Sequence, residues 1–87
     1  MSIRIESMKN LGPATARMLG EVDIVSEDDL RTVGAVAAYR RLKFRFGRHV
    51  TVVALYAMEA AIRGCDWRKL DSDIKDHLFR QACHDMQ

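Results

Sequence analysis

Residues 10–19 read Asn-Leu-Gly-Pro-Ala-Thr-Ala-Arg-Met-Leu, and this stretch predicts a tight turn that leads directly into a helix. Asn10 and Gly12 tolerate backbone angles that most residues avoid, because Asn can bond to nearby backbone and Gly has no Cβ. Pro13 fixes φ near the helical value and has no N–H to satisfy, so it is expected to begin the helix. We call residues 10–13 the hairpin, since the apolar segment before them favours a second short helix and hence a helix-hairpin-helix unit.

The start of the helix after the hairpin is the first candidate binding site. The backbone N–H groups of Gly12, Ala14 and Thr15 are expected at or beside an open helix N-terminus, where unpaired donors and the helix dipole both favour an anion. A nucleic-acid phosphate is the anion that we expect there, with Lys9 and Arg17 as the nearest cationic side chains. The alternative is that these N–H groups face only water in a tight turn between two helices.

Length and composition favour a single non-enzymatic domain over residues 1–87. A chain of this size buries only about 60–65% of the surface that its unfolded form exposes, so a deep substrate cavity is not expected. The hydrophobic fraction of 48% argues against disorder, and the longest apolar stretch is too short to span a bilayer. Cys65 and Cys83 have neither metal-ligand nor disulfide spacing, which predicts reduced thiols in a soluble cytoplasmic protein without metal or cofactor.

The charges are unevenly distributed, although the net charge is only +2. Residues 21–29 hold five acidic residues and no basic one, whereas residues 40–48 hold five basic residues and no acidic one. The basic block provides an electrostatic surface for phosphates or for an acidic partner. The alternative is that both blocks are solvated helix faces that pair with each other. The five basic residues are Arg40, Arg41, Lys43, Arg45 and Arg48.

The spacing of apolar, glycine and capping residues predicts an all-α fold of five to six short helices around a helix-hairpin-helix core of the SAM/HhH-like kind. The first helix is expected over residues 3–9, with Ile5 and Met8 facing inward. Ser26, with Asp29 three residues later, resembles a capping box and predicts the start of the third helix. The other helices are expected over residues 13–19, over residues 35–46, after Thr51, and from Asp71 or Ser72 onward.

Two aromatic residues are predicted to belong to the core rather than to a contact surface. Phe44 lies among the bases of the predicted helix 35–46, and we expect it to pack against the next helix instead of stacking on a partner. Trp67 is expected to cover the core where the preceding helix stops, with an interface role as the alternative. On that preceding helix, Glu59 and Arg63 are four residues apart and predict an ion pair rather than a catalytic acid.

Two further segments carry a family resemblance. Residues 34–43 read Gly-Ala-Val-Ala-Ala-Tyr-Arg-Arg-Leu-Lys, residues 55–64 read Leu-Tyr-Ala-Met-Glu-Ala-Ala-Ile-Arg-Gly, and Trp67 follows. Together with the hairpin, these segments closely resemble the C-terminal domain of TfoX/Sxy-type proteins. The resemblance covers nearly the whole chain and implies an all-helical domain with a helix-hairpin-helix core. For the family it implies regulation of natural competence, that is, of DNA transformation, and it names no catalytic residue.

Two features depart from the pattern of these relatives. Full-length competence regulators have an α/β domain before this one, whereas the given chain begins almost directly on the hairpin. The hairpins of strong DNA binders usually have glycine where this chain has Asn10, and a basic residue where it has Ala14. Arg17 and Lys9 are the nearest replacements for that missing base.

Two functions are compatible with these features, and neither needs catalysis, a metal or a cofactor. In the first, the domain binds the backbone of double-stranded DNA with little base specificity. In the alternative, it is an adaptor that docks the transcription machinery, another regulator or a second copy, since related hairpins contact both DNA and proteins. The residues predicted to contact DNA are Lys9, Gly12, Ala14, Thr15, Arg17, Arg40, Arg41, Lys43 and Arg48. The residues predicted for the adaptor surface are Trp67, Leu70 and Phe79.

Overall fold

The computed structural model describes residues 4–8 and 10–84, without the side chains of Glu6, Cys83 and His84. Within these ranges the chain forms five α-helices, three short 3-10 helices and no strand, which confirms the predicted all-α class. The α-helices are α1 (Pro13–Gly20), α2 (Glu27–Val33), α3 (Ala35–Phe46), α4 (Val52–Arg63) and α5 (Ser72–His84). The 3-10 helices are Ile5–Ser7, Gly47–His49 and Trp67–Lys69.

The core lies where α3, α4 and α5 pack on one another, with α2 against α3 and α4, and α1 against α3. Apolar residues spaced by three and four along each helix supply it, as the sequence pattern predicts. The radius of gyration of 11.8 Å matches a well-packed chain of this length. Within the described ranges, no polar or charged residue is buried. The largest fully buried side chains are those of Ile5, Leu19, Ile24, Leu30, Leu42, Leu55 and Met58.

The start of α2 confirms the predicted capping box. The Ser26 hydroxyl accepts a hydrogen bond from the Asp29 N–H at 3.3 Å. The Asp29 carboxylate accepts one from the Val25 N–H at 3.1 Å, so it reaches back one residue beyond the cap. At the other end, Gly34 has φ of 87° and is shared between α2 and α3, a backbone angle that side chains with a Cβ rarely adopt. The chain can therefore pass from one helix to the next through a single residue.

We expect Ser26→Ala to lower the free energy of unfolding by about 1 kcal/mol, because it removes the acceptor for a first-turn N–H. Thr51→Ala is the matched control. Thr51 occupies the N-cap position of α4, as predicted, but no side chain in the described part of the chain makes a capping bond there. Urea denaturation followed by circular dichroism measures both variants. An equal loss in the two would contradict the role given to the Ser26 hydroxyl.

The segment before the hairpin differs from the predicted helix over residues 3–9. The structure has only the single 3-10 turn Ile5–Ser7, while residues 3 and 9 lie outside the described ranges. Arg4 is held in an isolated antiparallel β-bridge with Ser26, and Met8 is extended with ψ of 148°. These extended residues on both sides leave no room for a full α-helical turn. Ile5 and Met8 are buried, as predicted.

Phe44 is also placed differently from its prediction. Its side chain is 95% exposed and does not pack into the core. The buried positions of α3 are Ala35, Ala38, Tyr39 and Leu42. A helix turns about 100° per residue, so Phe44 lies about 200° around the axis from Leu42 and faces away from the core. The prediction of packing against the next helix is therefore wrong.

Candidate nucleic-acid interface

The hairpin is anchored to the distant end of α4 by Asn10. Its backbone has φ of 74°, in the left-handed region that asparagine tolerates. Its side-chain Nδ2 donates to the Cys65 carbonyl at 2.7 Å, and its Oδ1 accepts from the Trp67 N–H at 3.3 Å. Leu11, the next residue, is buried. One side of the hairpin therefore belongs to the interior, and its turn is held by the corner after α4.

The other side of the hairpin leaves the start of α1 open. Gly12 is the N-cap residue of α1, Pro13 is at its first position as predicted, and no side chain of the described residues makes a capping bond there. A Cβ built on Gly12 would meet no described atom within 4 Å. Ala14 is exposed and Thr15 is half-buried. The first N–H groups of a helix have no intrahelical acceptor, so those of Ala14 and Thr15 are available to an anion from outside.

Two arginines flank this helix start. Arg17 is exposed one turn further along α1, and Arg4 is exposed on the segment before the hairpin. Both line a shallow groove of about 370 Å³ beside the first turn of α1, which we call the hairpin groove. Arg4 was missing from the sequence prediction, because the backbone pairing with Ser26 that places it there joins residues far apart in the chain. Lys9, the other predicted cation, lies outside the described residues. The groove is lined by Arg4, Ile5, Pro13, Ala16, Arg17 and Val25.

Three arginines of α3 line a second groove, of about 650 Å³, which we call the Phe44 groove. Within it, an Arg41 Nη donates to the Val22 carbonyl at 3.4 Å. An Arg45 Nη lies 4.0 Å from a carboxylate oxygen of Glu21. This ion pair joins the predicted acidic and basic blocks, and at that exposed distance it contributes little. The Phe44 groove is lined by Val22, Asp23, Ala37, Arg40, Arg41, Phe44 and Arg45.

The remaining two bases lie near the carboxyl end of α3. The Lys43 ammonium donates to the Gly47 carbonyl at 3.5 Å, where a cation is favoured by the helix dipole. Arg48 is exposed in the 3-10 helix that follows. Neither residue lines the Phe44 groove. The predicted basic block is therefore divided between a groove and a helix end.

The hairpin and the Phe44 groove lie at opposite ends of α1. The hairpin precedes Pro13, whereas Val22 and Asp23 of the groove follow the last residue of the helix. Eight residues rising about 1.5 Å each make α1 about 12 Å long. Among the described residues, the hairpin set and the α3 set line different grooves, and the structure does not bring them together into one.

The predicted adaptor patch is only partly at the surface. Leu70 is 7% exposed, so its assignment to a docking surface is wrong. Its N–H bonds to the Trp67 carbonyl at 3.2 Å and closes a 3-10 turn that folds back against α4. Trp67 is half-buried, with the Lys75 ammonium 5.4 Å from its ring centre, and Phe79 is 47% exposed. Trp67 follows the end of α4, and its covering of the core stays a prediction.

The corner beside Trp67 also contains an ion pair. The Asp66 carboxylate caps the 3-10 helix by accepting from the Arg68 N–H at 2.9 Å. It also accepts from the Arg68 guanidinium at 3.0 Å. This hydrogen bond and the attraction between the charges raise the pKa of Arg68 above its usual value. On α4, Glu59 pairs with Arg63, as predicted.

The described residues contain neither a candidate metal site nor a candidate membrane-spanning helix. No group of three or more His, Cys, Asp or Glu within them could hold a metal ion. The side chain of Cys83, one of the two cysteines considered in the sequence, lies outside the described residues. No helix in the described part of the chain is long and apolar enough to cross a bilayer.

The fold and hairpin define the class of protein: a small all-α domain with an open helix start beside a tight turn. The family model of the TfoX C-terminal domain matches residues 1–82, and the chain belongs to this family, which is associated with the regulation of competence and transformation. A search of the curated proteins finds no match.

Two solved structures have the same fold. An uncharacterised protein from Listeria monocytogenes, in a triclinic crystal form, superposes with a TM-score of 0.84 at 28% identity, covering 93% of this chain and 93% of that one. A protein of unknown function from the same organism, in a tetragonal form, also has a TM-score of 0.84. It is 26% identical and covers 91% of this chain and 96% of that one.

Proposed function

We propose that this chain is a non-enzymatic regulatory module that binds the backbone of double-stranded DNA through its hairpin. The observation that carries the proposal is the open start of α1, with Ala14 exposed and no capping side chain among the described residues. The association of the family with DNA transformation makes DNA the natural source of the phosphate. The proposal includes a cytoplasmic location, because the protein would meet its DNA there.

The hairpin suits a phosphate through both its backbone and its charges. The N–H groups of Ala14 and Thr15 donate to the phosphate oxygens, and the positive end of the α1 dipole favours the anion. Arg4 and Arg17 line the groove beside them and supply counter-charge. Contacts of this kind are made to the DNA backbone and do not distinguish one base from another, so binding is independent of sequence.

Further DNA contacts by the basic block stay a prediction. The residues concerned are Arg40, Arg41, Lys43 and Arg48. Arg40 and Arg41 line the Phe44 groove with the residues that follow α1, and the Lys43 ammonium already donates to the end of α3. The proposal therefore assigns the phosphate contact to the hairpin. Each phosphate neutralised steepens the fall of log affinity with log salt by about 0.9.

We expect Arg17→Glu to weaken binding of a short labelled duplex about tenfold or more, because it replaces an attractive charge by a repulsive one beside the phosphate. Titrations at about 50 mM and about 200 mM salt also give the salt slope, which is expected to fall by about 0.9. Lys69→Glu makes the same charge change at an exposed residue that does not line the hairpin groove, and it is the matched control. Equal weakening by both variants would assign the effect to net charge and contradict the hairpin contact.

A gain of affinity provides the complementary test. Ala14 is exposed and occupies the position at which hairpins of strong DNA binders usually have a base. Ala14→Lys is expected to tighten binding and to raise the salt slope by about 0.9. Absence of any binding by the wild-type domain at low salt would overturn the proposed function.

A further inference from the structure

The Phe44 groove contains the most exposed of the large hydrophobic side chains in the described part of the chain. Phe44 is 95% exposed on α3, compared with 67% for Val25, 47% for Phe79 and 43% for Val53. Beside Phe44 the groove also has the apolar side chains of Val22 and Ala37. A large aromatic ring next to a concave apolar surface is typical of a contact site, whereas single exposed apolar residues elsewhere need no explanation.

The groove continues across α3 toward α5. A neighbouring groove of about 680 Å³ shares two lining residues, Ala37 and Arg40, with the Phe44 groove. We call the two together the α3 channel. Apolar residues line both halves, so the channel offers apolar contact to more than one side chain of a partner segment. The second half is lined by Val33, Val36, Ala37, Arg40, His77, Arg80 and Gln81.

The charges of the α3 channel are mainly positive. Arginines line both halves, and Asp23 is the one carboxylate among the lining residues. The channel combines apolar lining residues, an exposed aromatic ring and several arginines. This combination is typical of protein interfaces, in which aromatic residues and arginine dominate the contact. Charge complementarity then selects an acidic partner. The arginines concerned are Arg40, Arg41, Arg45 and Arg80.

The same surface is less suited to a DNA duplex. Asp23 lines the groove, and Glu21 lies 4.0 Å from Arg45, so two carboxylates face the place where regularly spaced phosphates would lie. The outside of a duplex is a charged, hydrated backbone and offers no apolar cover to Phe44. A polypeptide can place an apolar side chain on Phe44 and its carboxylates on the arginines.

We propose that the α3 channel docks an acidic segment of another protein, with one apolar side chain of that segment packed against Phe44. This inference does not rest on the proposed DNA function, because the channel and the hairpin groove share no lining residue. A domain with both surfaces can hold DNA at one end of α1 and a protein partner at the other.

Selection of random peptides displayed on phage tests this inference without a known partner. We expect the enriched peptides to be rich in Asp and Glu around at least one apolar residue. A synthetic copy of an enriched peptide is then titrated by calorimetry against the purified domain. Phe44→Ala and Arg41→Glu are each expected to weaken its binding about tenfold or more, as the loss of a central contact does. Circular dichroism checks that each variant is folded.

Two matched controls separate the channel from the rest of the surface. Phe79→Ala removes another exposed aromatic ring outside the channel, and Lys69→Glu makes the same charge change elsewhere. Neither is expected to change the affinity for the peptide. Arg17→Glu, which tests the hairpin, is expected to leave it unchanged as well.

Three outcomes would overturn the inference: no enriched peptide, peptides without an excess of acidic residues, or peptide binding insensitive to Phe44→Ala. A duplex whose binding depends on Phe44 and competes with the peptide would assign the channel to DNA instead. Loss of DNA binding at the hairpin with peptide binding intact would reject only the proposed function.

Discussion

Leu55→Ala is expected to lower the free energy of unfolding by about 2–5 kcal/mol, the largest effect among the substitutions considered. Leu55 is 0% exposed in α4, which packs against both α3 and α5. Shortening its side chain removes apolar contacts and leaves a cavity that surrounding helices fill only in part. The total stability of a domain of this length is on the order of 4–13 kcal/mol, so one cavity removes a large share of it.

Val53→Ala is the matched control for Leu55→Ala. Val53 lies on the same helix two residues earlier but is 43% exposed. Its shortening is expected to change the free energy of unfolding by no more than about 0.5 kcal/mol. Urea denaturation of both variants measures the difference. Comparable losses would mean that α4 is not buried on the side that contains Leu55.

Asn10→Ala has the second largest expected effect, a loss of about 2–3 kcal/mol. The substitution leaves the Cys65 carbonyl and the Trp67 N–H without the partner that Asn10 gives them. It also places a Cβ-bearing residue without a local polar side chain at φ of 74°. Thermal and urea denaturation measure the loss.

Two further variants divide that loss into its causes. Asn10→Gly keeps the backbone angle accessible and removes only the side-chain hydrogen bonds, so it is expected to cost less than Asn10→Ala by about 1 kcal/mol. Asn10→Asp keeps the acceptor for the Trp67 N–H but puts a carboxylate against the Cys65 carbonyl. Equal stability of the wild type and Asn10→Ala would show that the anchor contributes nothing. Equal losses of unfolding free energy in Asn10→Ala and Asn10→Gly would show that the positive φ of residue 10 contributes nothing to the cost.

Local sequence rules predicted the helices well where a start or stop residue coincided with the apolar pattern. The range predicted for α3, residues 35–46, is the range found, because Gly34 and Gly47 take positive φ at its two ends. The cap of α2 was found for the same reason, since Ser26 and Asp29 act on backbone within a few residues of themselves. Such interactions are local and are therefore visible in the sequence.

What the sequence could not predict depends on contacts between distant residues. Phe44 was expected to pack against the next helix because it is apolar and lies on a helix flank. The sequence does not show whether a neighbouring helix reaches that flank. Arg4 joins the hairpin groove through a bridge to Ser26. The Asn10 side chain bonds to Cys65 and Trp67, which lie 55 and 57 positions further along the chain. The turn itself was predictable from local chemistry, whereas the anchor that holds it was not.

The anchor at Asn10 gives this protein a built-in optical reporter. Trp67 is the single tryptophan of the chain, and its backbone N–H is bonded to the hairpin while the Lys75 ammonium lies over its ring. Indole emission responds to the position of a nearby cation and to solvent access. Under the proposed function, a movement of the hairpin on taking up an anion would reach this corner through the two hydrogen bonds of Asn10, and the ultraviolet emission of the unmodified protein would report it.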